Sequence, residues 1–192
     1  ANAGTMSIDV IANDGNGGTV TDTFNIVVSA VNDAPTITAP GSISINEDAS
    51  GALSGISFSD VDAGTGPVTV TLSVPSGSLA ATSASGVTVG GTASAMTLSG
   101  SISDITAFIA ASGVRFTTAS NATANVTLTV DINDGGNTGT GGALTDSQTV
   151  TLMVTAVNDA PVNSIPAAQN VNQDANLVFN SGNGNLISIS DV

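Results

Sequence analysis

The side chains able to do chemistry in this sequence are carboxylates and very little else. There are 15 acidic residues against a single basic one, Arg115, with no His and no Cys, and Glu47 is the only Glu. Disulfides, thiolate metal sites and imidazole bases are therefore excluded. Lys is absent too, which removes the amine of any lysine-based isopeptide cross-link. Acidic oxygens can still hold a hard cation. A ligand set of several Asp, Asn and backbone carbonyls suits Ca²⁺ better than Mg²⁺. Asp60-Val61-Asp62 has a useful spacing for this, because alternate residues of an extended turn can aim both carboxylates at one point.

The rest of the composition narrows the possibilities further. The net charge of −14 argues against nucleic-acid partners and against docking on an anionic membrane. No apolar run is long enough to span a bilayer, so no membrane insertion is expected. Paired carboxylates can hydrolyse glycosides, but here Ser has no evident base and the Asp clusters fall where domain junctions should be. The expectation is a protein that is not an enzyme. Glycan binding is a weaker alternative, because the chain offers only five Phe as aromatic platforms and most of them have the phase of core residues.

Whether the carboxylates meet depends on the elements that carry them, and an internal repeat organises those elements. Val31-Asn32-Asp33-Ala34-Pro35 recurs identically as Val157-Asn158-Asp159-Ala160-Pro161. At the same offset, Phe24, Ile26 and Val28 align with Val150, Leu152 and Val154, and Asn46-Glu47-Asp48-Ala49 aligns with Asn172-Gln173-Asp174-Ala175. Ser59-Asp60-Val61 matches Ser190-Asp191-Val192 after an insertion near 180–185, and Asn13-Asp14-Gly15 matches Asn133-Asp134-Gly135. The organisation expected is the last two strands of one repeat (1–31), a complete repeat (32–157) and the first strands of a third (158–192).

Within the complete repeat, apolar residues alternate with Thr and Ser. Ile43 and Ile45, Ile56 and Phe58, Val68 to Val74, Val87 and Val89, Met96 to Ile102, Val126 to Ile132, and Val150 to Val154 each read as a strand with one wet face. About seven such runs separated by Gly, Pro, Asp and Asn turns predict an all-β, Ig-like Greek-key sandwich. One segment departs from this. Ile105, Phe108 and Ile109 have helical spacing and predict a short helix over 103–111, with Ser103 as N-cap and Gly113 as the stop.

Strands of a sandwich run alternately between two poles. The linker at Asn32 and Asp33, the turn at Asp60 and Asp62, and the turn at Asn133 and Asp134 should then share the incoming pole, with Asp131 just up the strand. Four carboxylates within roughly 6 Å of one another repel by about 1–3 kcal/mol per pair, and a bound cation reverses that cost. Asp33, Asp60, Asp62 and Asp134 are the core of the expected calcium set, with Asp131 and Asn133 as further candidates. A second junction would use Asn158, Asp159 and Asp191, with Glu47 or Asp48 from the opposite pole. Asp9, Asp22, Asp104 and Asp146 read as surface or capping residues.

The Val-Asn-Asp-Ala-Pro linker, the Asn-Glu-Asp turn, the Ser-Asp-Val-Asp-Ala-Gly turn and the Asn-Asp-Gly-Gly turn resemble the cadherin-like tandem repeats of large bacterial surface and secreted adhesins. The resemblance covers nearly the whole chain. It implies an exported, cell-surface or extracellular protein with rows of such repeats and Ca²⁺ bound between them. Animal cadherin linkers resemble Asp-x-Asn-Asp-Asn-x-Pro, whereas Ala30 and Ala34 occupy two of those positions here. One or two ions per junction are therefore expected. The implied role is a calcium-rigidified spacer whose partners are the adjacent repeats. A self-assembling fibre or sheath with lateral self-association is the alternative.

Overall fold

The computed structural model describes residues 3–192. It divides into two compact units, one ending at Thr155 and the other running from Ala156 to Val192. The first unit begins with a hairpin of β1 (Gly4–Asn13) and β2 (Thr19–Val28), followed by an all-β sandwich. The strands of the sandwich are β3 (Thr36–Thr38), β4 (Ser42–Asn46), β5 (Ser50–Ala52), β6 (Ser57–Ser59), β7 (Pro67–Ser73), β8 (Ser78–Ala81), β9 (Thr88–Gly91) and β10 (Ala95–Ser101). A single helix α1 (Ile102–Ala110) comes next, then β11 (Val114–Thr117), β12 (Val126–Asn133) and β13 (Thr145–Thr155).

Six strands form one sheet in the order β4-β13-β12-β7-β10-β9. Facing it are the three-stranded sheet β5-β11-β8, the short pair β3-β6 and the helix. Alternation sorts the side chains. Val68, Val70 and Leu72 of β7 are buried while Thr69 is exposed, and Val126, Leu128, Val130 and Ile132 of β12 are buried while Thr127 is exposed. These residues join Leu98, Phe116 and Leu152 in one continuous core. Phe116 and Leu98 are completely enclosed, and burying a side chain of that size contributes about 1.5–3 kcal/mol.

The helix begins earlier than its sequence suggests. Its N-cap is Ser101 rather than Ser103: Ser101 Oγ accepts from Asp104 N at 3.1 Å and donates to Asp104 Oδ2 at 2.7 Å. Asp104 stands three positions after Ser101, the spacing of a capping box, but its carboxylate accepts from the Ser101 hydroxyl rather than from the Ser101 backbone N–H. Ile105, Phe108 and Ile109 turn inward as expected. The left-handed stop is Ser112 at φ 62°, not Gly113. Gly113 has a different role, since a Cβ there would lie 2.6 Å from Phe108 O.

Almost all strand pairs are antiparallel, but β13 runs parallel to β4, with Thr151 opposite Ser42 and Thr155 opposite Asn46. Both strands therefore point the same way. The linker at Asn32 meets the sandwich at one pole and Thr155 leaves at the other.

The repeat is visible in the pairing itself. Met6 opposes Ile26 and Ile8 opposes Phe24 in the first hairpin, just as Val126 opposes Leu152 and Leu128 opposes Val150 in β12–β13. The same face is 55% exposed at Met6 and 7% exposed at Val126, because only the second hairpin has a sandwich laid over it. In the second unit, β14 (Val162–Ser164) pairs with β15 (Ser188–Ser190), with Val162 opposite Ser190 as Thr36 is opposite Ser59. The Asp48 and Asp174 turns are both left-handed, at φ 53° and 60°. The insertion near 180–185 is a short 3-10 turn, Ser181–Asn183, capped by the Asn180 side chain. Among the described residues, no helix is long and apolar enough to cross a membrane.

Candidate metal centre at the incoming pole

Antiparallel pairing of β3 with β6 carries the Asp60–Asp62 turn to the linker, and β12 ends beside both. Asp33 N donates to Asp62 Oδ2 at 2.6 Å. Asn32 Nδ2 donates to Asp134 Oδ2 at 2.6 Å and to Gly142 O at 2.9 Å. The linker, the Asp60/Asp62 turn and the Asp134 turn therefore do converge.

The carboxylates do not form a ready-made cage. Among the described residues, no three acidic side chains lie close enough to hold one metal ion as a group. Much of the expected repulsion is relieved in another way, by backbone donors. Asp60 Oδ1 accepts from Asp62 N at 2.7 Å and Ala63 N at 3.2 Å. Asp134 Oδ1 accepts from Gly136 N and Leu144 N, each at 2.8 Å. Burial pushes the Asp134 carboxyl up, but the Gly136, Leu144 and Asn32 donors together outweigh it and hold the group below the ordinary 3.8. The Asp33 N–H similarly lowers Asp62, which is buried.

Two oxygens at this pole are left over. Asn32 Oδ1 and Asp60 Oδ2 are buried and, among the described residues, have no hydrogen-bond partner. A buried acceptor without a donor costs about 1–3 kcal/mol, more when charged, so each invites a ligand. Asp60 also lines a shallow hollow with Asp33, Ala34, Thr36, Ser59 and Val61. The Asp33 residue is exposed at its rim.

Other sequence candidates fall elsewhere. Asn133 Oδ1 caps its own turn, accepting from Gly135 N at 2.8 Å. Asp131 lies within β12 between Thr71 and Ser147, on the face opposite the buried Val130 and Ile132, and so points away from the core. Glu47 and Asp48 lie at the outgoing pole. Glu47 is buried and its N–H donates to Thr155 O at 3.0 Å. Asp48 N donates to Thr118 Oγ1 at 3.1 Å, and Asp48 Oδ1 accepts from Asn121 N at 3.0 Å. Asn158, Asp159 and Asp191 belong to the second unit. There Asn158 Nδ2 donates to Asp159 O at 2.9 Å, and Asp191 Oδ1 accepts from Val192 N at 3.1 Å.

Sequence reasoning missed two contributors. Asp146, read as a surface or capping residue, accepts from Ile37 N at 2.8 Å through Oδ2 and ties β3 to the start of β13. The 135–143 loop also shapes the pole. Thr138 Oγ1 donates to Asp62 O at 2.6 Å, and Asn137 Nδ2 donates to Asp134 O and, at 3.0 Å, to Pro67 O. Its Gly-Gly-Asn-Thr-Gly-Thr-Gly-Gly sequence signals a turn but not a binding role. Comparison of the chain with protein-family models and with curated proteins gives no match.

Proposed function

We propose that this chain is a calcium-rigidified spacer of cadherin-like, Ig-like repeats in a large extracellular adhesin or surface filament. The observation that carries the reading is the pair of buried oxygens without donors, Asn32 Oδ1 and Asp60 Oδ2. They lie at the pole where the linker meets two acidic turns. Both are the hard oxygen donors that Ca²⁺ prefers. Asp60, Asn32 and Asp33 would supply ligand oxygens, with Asp62 and Asp134 as flanking negative charges. The ion would supply positive charge in a pole dominated by carboxylates and would tie the linker to the Asp60 turn.

The parallel β4–β13 arrangement supports the spacer role. A unit that receives the chain at one pole and releases it at the other can be strung in series. In such an array each repeat contacts chiefly its neighbours, so the junctions set the stiffness of the whole.

The test compares melting and small-angle scattering of the chain in Ca²⁺ and in excess chelator. A ligand at one hundred times its Kd stabilises the folded state by about 2.7 kcal/mol. The expected result is a rise in melting temperature with Ca²⁺ that disappears in Asp33→Ala combined with Asp60→Ala. Identical melting in both conditions would overturn the reading.

A further inference from the structure

We propose that the 135–143 loop is a metal-independent receptor for the strand that leaves the preceding repeat, and that it holds the junction through main-chain pairing. The two equivalent hairpins share one register and part at this connection. Their registers agree residue for residue up to Asn13 opposite Thr19 and Asn133 opposite Thr145. The connection then spans 14–18 in the first and 134–144 in the second. The first closes tightly, with Asp14 N donating to Gly18 O at 3.1 Å and Gly18 N donating to Asp14 Oδ1 at 2.9 Å. The added residues of the second are not a loose excursion.

Thr140 N donates to Ala30 O and Asn32 N donates to Thr140 O, each at 3.0 Å. These reciprocal bonds flank Val31 and form a parallel β-bridge between loop and linker. Thr140 Oγ1 reaches Ala30 O at 3.3 Å, and Gly142 O receives Asn32 Nδ2. Behind this contact the loop is fastened to the sandwich by Thr138 to Asp62 O and by Asn137 to Pro67 O. The bonds from loop to linker use no carboxylate oxygen, so they do not require a cation.

Gly139 shows that the fit to the linker constrains the loop. Its φ is +110°, and a Cβ there would stand 2.6 Å from Asn32 N and 2.7 Å from Val31 C. The space denied to a side chain is occupied by the linker backbone. A turn with no partner would meet open space at that point, as Gly15 and Gly17 do in the short connection. Val31 is 62% exposed, so apolar packing of its side chain does not hold the linker in place. Pairing of main-chain groups does, as in β-strand addition to an edge.

This receptor stands apart from the calcium reading, because it should act when the metal is stripped away. The test is amide hydrogen exchange on the whole chain in excess chelator. The Asn32 and Thr140 amides are expected to be protected in the unaltered chain and to lose that protection in Gly139→Ala, while the core amides of Leu98 and Leu128 keep theirs. A second variant replaces 134–144 with the sequence of 14–18 and should expose the Asn32 amide in the same way. If Gly139→Ala also exposes the core amides, the loop replacement decides. Unprotected Asn32 and Thr140 in the unaltered chain under chelator would overturn the proposal. So would undiminished Asn32 protection in a folded loop-replacement variant. Neither outcome depends on whether Ca²⁺ raises the melting temperature, which is measured separately.

Discussion

Asn32 Nδ2 stands 2.6 Å from Asp134 Oδ2, a buried contact between residues 102 positions apart. It joins the linker to the far end of the sandwich's sequence. Hydrogen bonds to charged groups contribute about 1.5–3 kcal/mol. Asn32→Ala in chelator is therefore expected to destabilise the first unit by about that amount, read from chemical denaturation. Asn32→Asp places a second carboxylate against Asp134. It should melt lower than Asn32→Ala in chelator and recover more than the unaltered chain when Ca²⁺ is added. Equal melting of the two variants in both conditions would count against an electrostatic role for this contact.

Asp60 separates capping from metal binding within one side chain. Its Oδ1 caps the turn, whereas its Oδ2 has no partner among the described residues. Asp60→Asn keeps an oxygen for the cap and loses the charge. The expected outcome is an unchanged melting temperature in chelator together with a reduced calcium-dependent rise. A large loss of stability in chelator would show that Oδ2 already has a structural task.

Acid should loosen the incoming pole. Asp134 and Asp62 are both held below 3.8 by the donors around them. A carboxylate lowered in the folded state contributes stability that is present above its unfolded pKa and lost as pH falls through its folded one. In chelator, melting should be flat from neutrality to about pH 5 and fall increasingly below the ordinary aspartate range. Asp134→Asn should melt lower at neutral pH and show a shallower acid limb. A parallel acid limb in the variant would assign the loss to other carboxylates.

Much of the sandwich was legible because its core obeys a period of two. Val68, Val70 and Leu72, and Val126 to Ile132, announce both strand and buried face in the sequence. The pole assignment was legible as well, since Asn32 meets Asp134 and Asp33 meets Asp62 as the alternation of strands requires. Strands β5 and β8 were not legible: Ser50–Ala52 and Ser78–Ala81 are small-residue segments with one large apolar side chain, Leu79, between them. They are strands because Phe116 and its neighbours on β11 pair with both. The carboxylates were legible as a type but not in their use. Which oxygen meets a backbone N–H and which meets nothing depends on turn geometry that residue identity does not encode. The linker contact of the 135–143 loop was hidden for a related reason, because its bonds to Ala30 and to the Asn32 amide run through main-chain groups.

The helix start offers a direct comparison between sequence pattern and fold. Ser101 and Ser103 both precede the apolar face of α1, and their hydroxyls are 2.9 Å apart. Only Ser101 also receives Asp104 N, so only its removal leaves a first-turn donor without its cap. Loss of an N-cap serine costs about 1 kcal/mol. Ser101→Ala should therefore lower stability by about that much, and Asp104→Ala should lower it through loss of the bond from the Ser101 hydroxyl to its carboxylate. Ser103 is exposed, and Ser103→Ala should fall within about 0.5 kcal/mol of the unaltered chain. Denaturant melts of the three variants settle the assignment. A larger loss for Ser103→Ala than for Ser101→Ala would move the helix start back to the position its sequence pattern suggests.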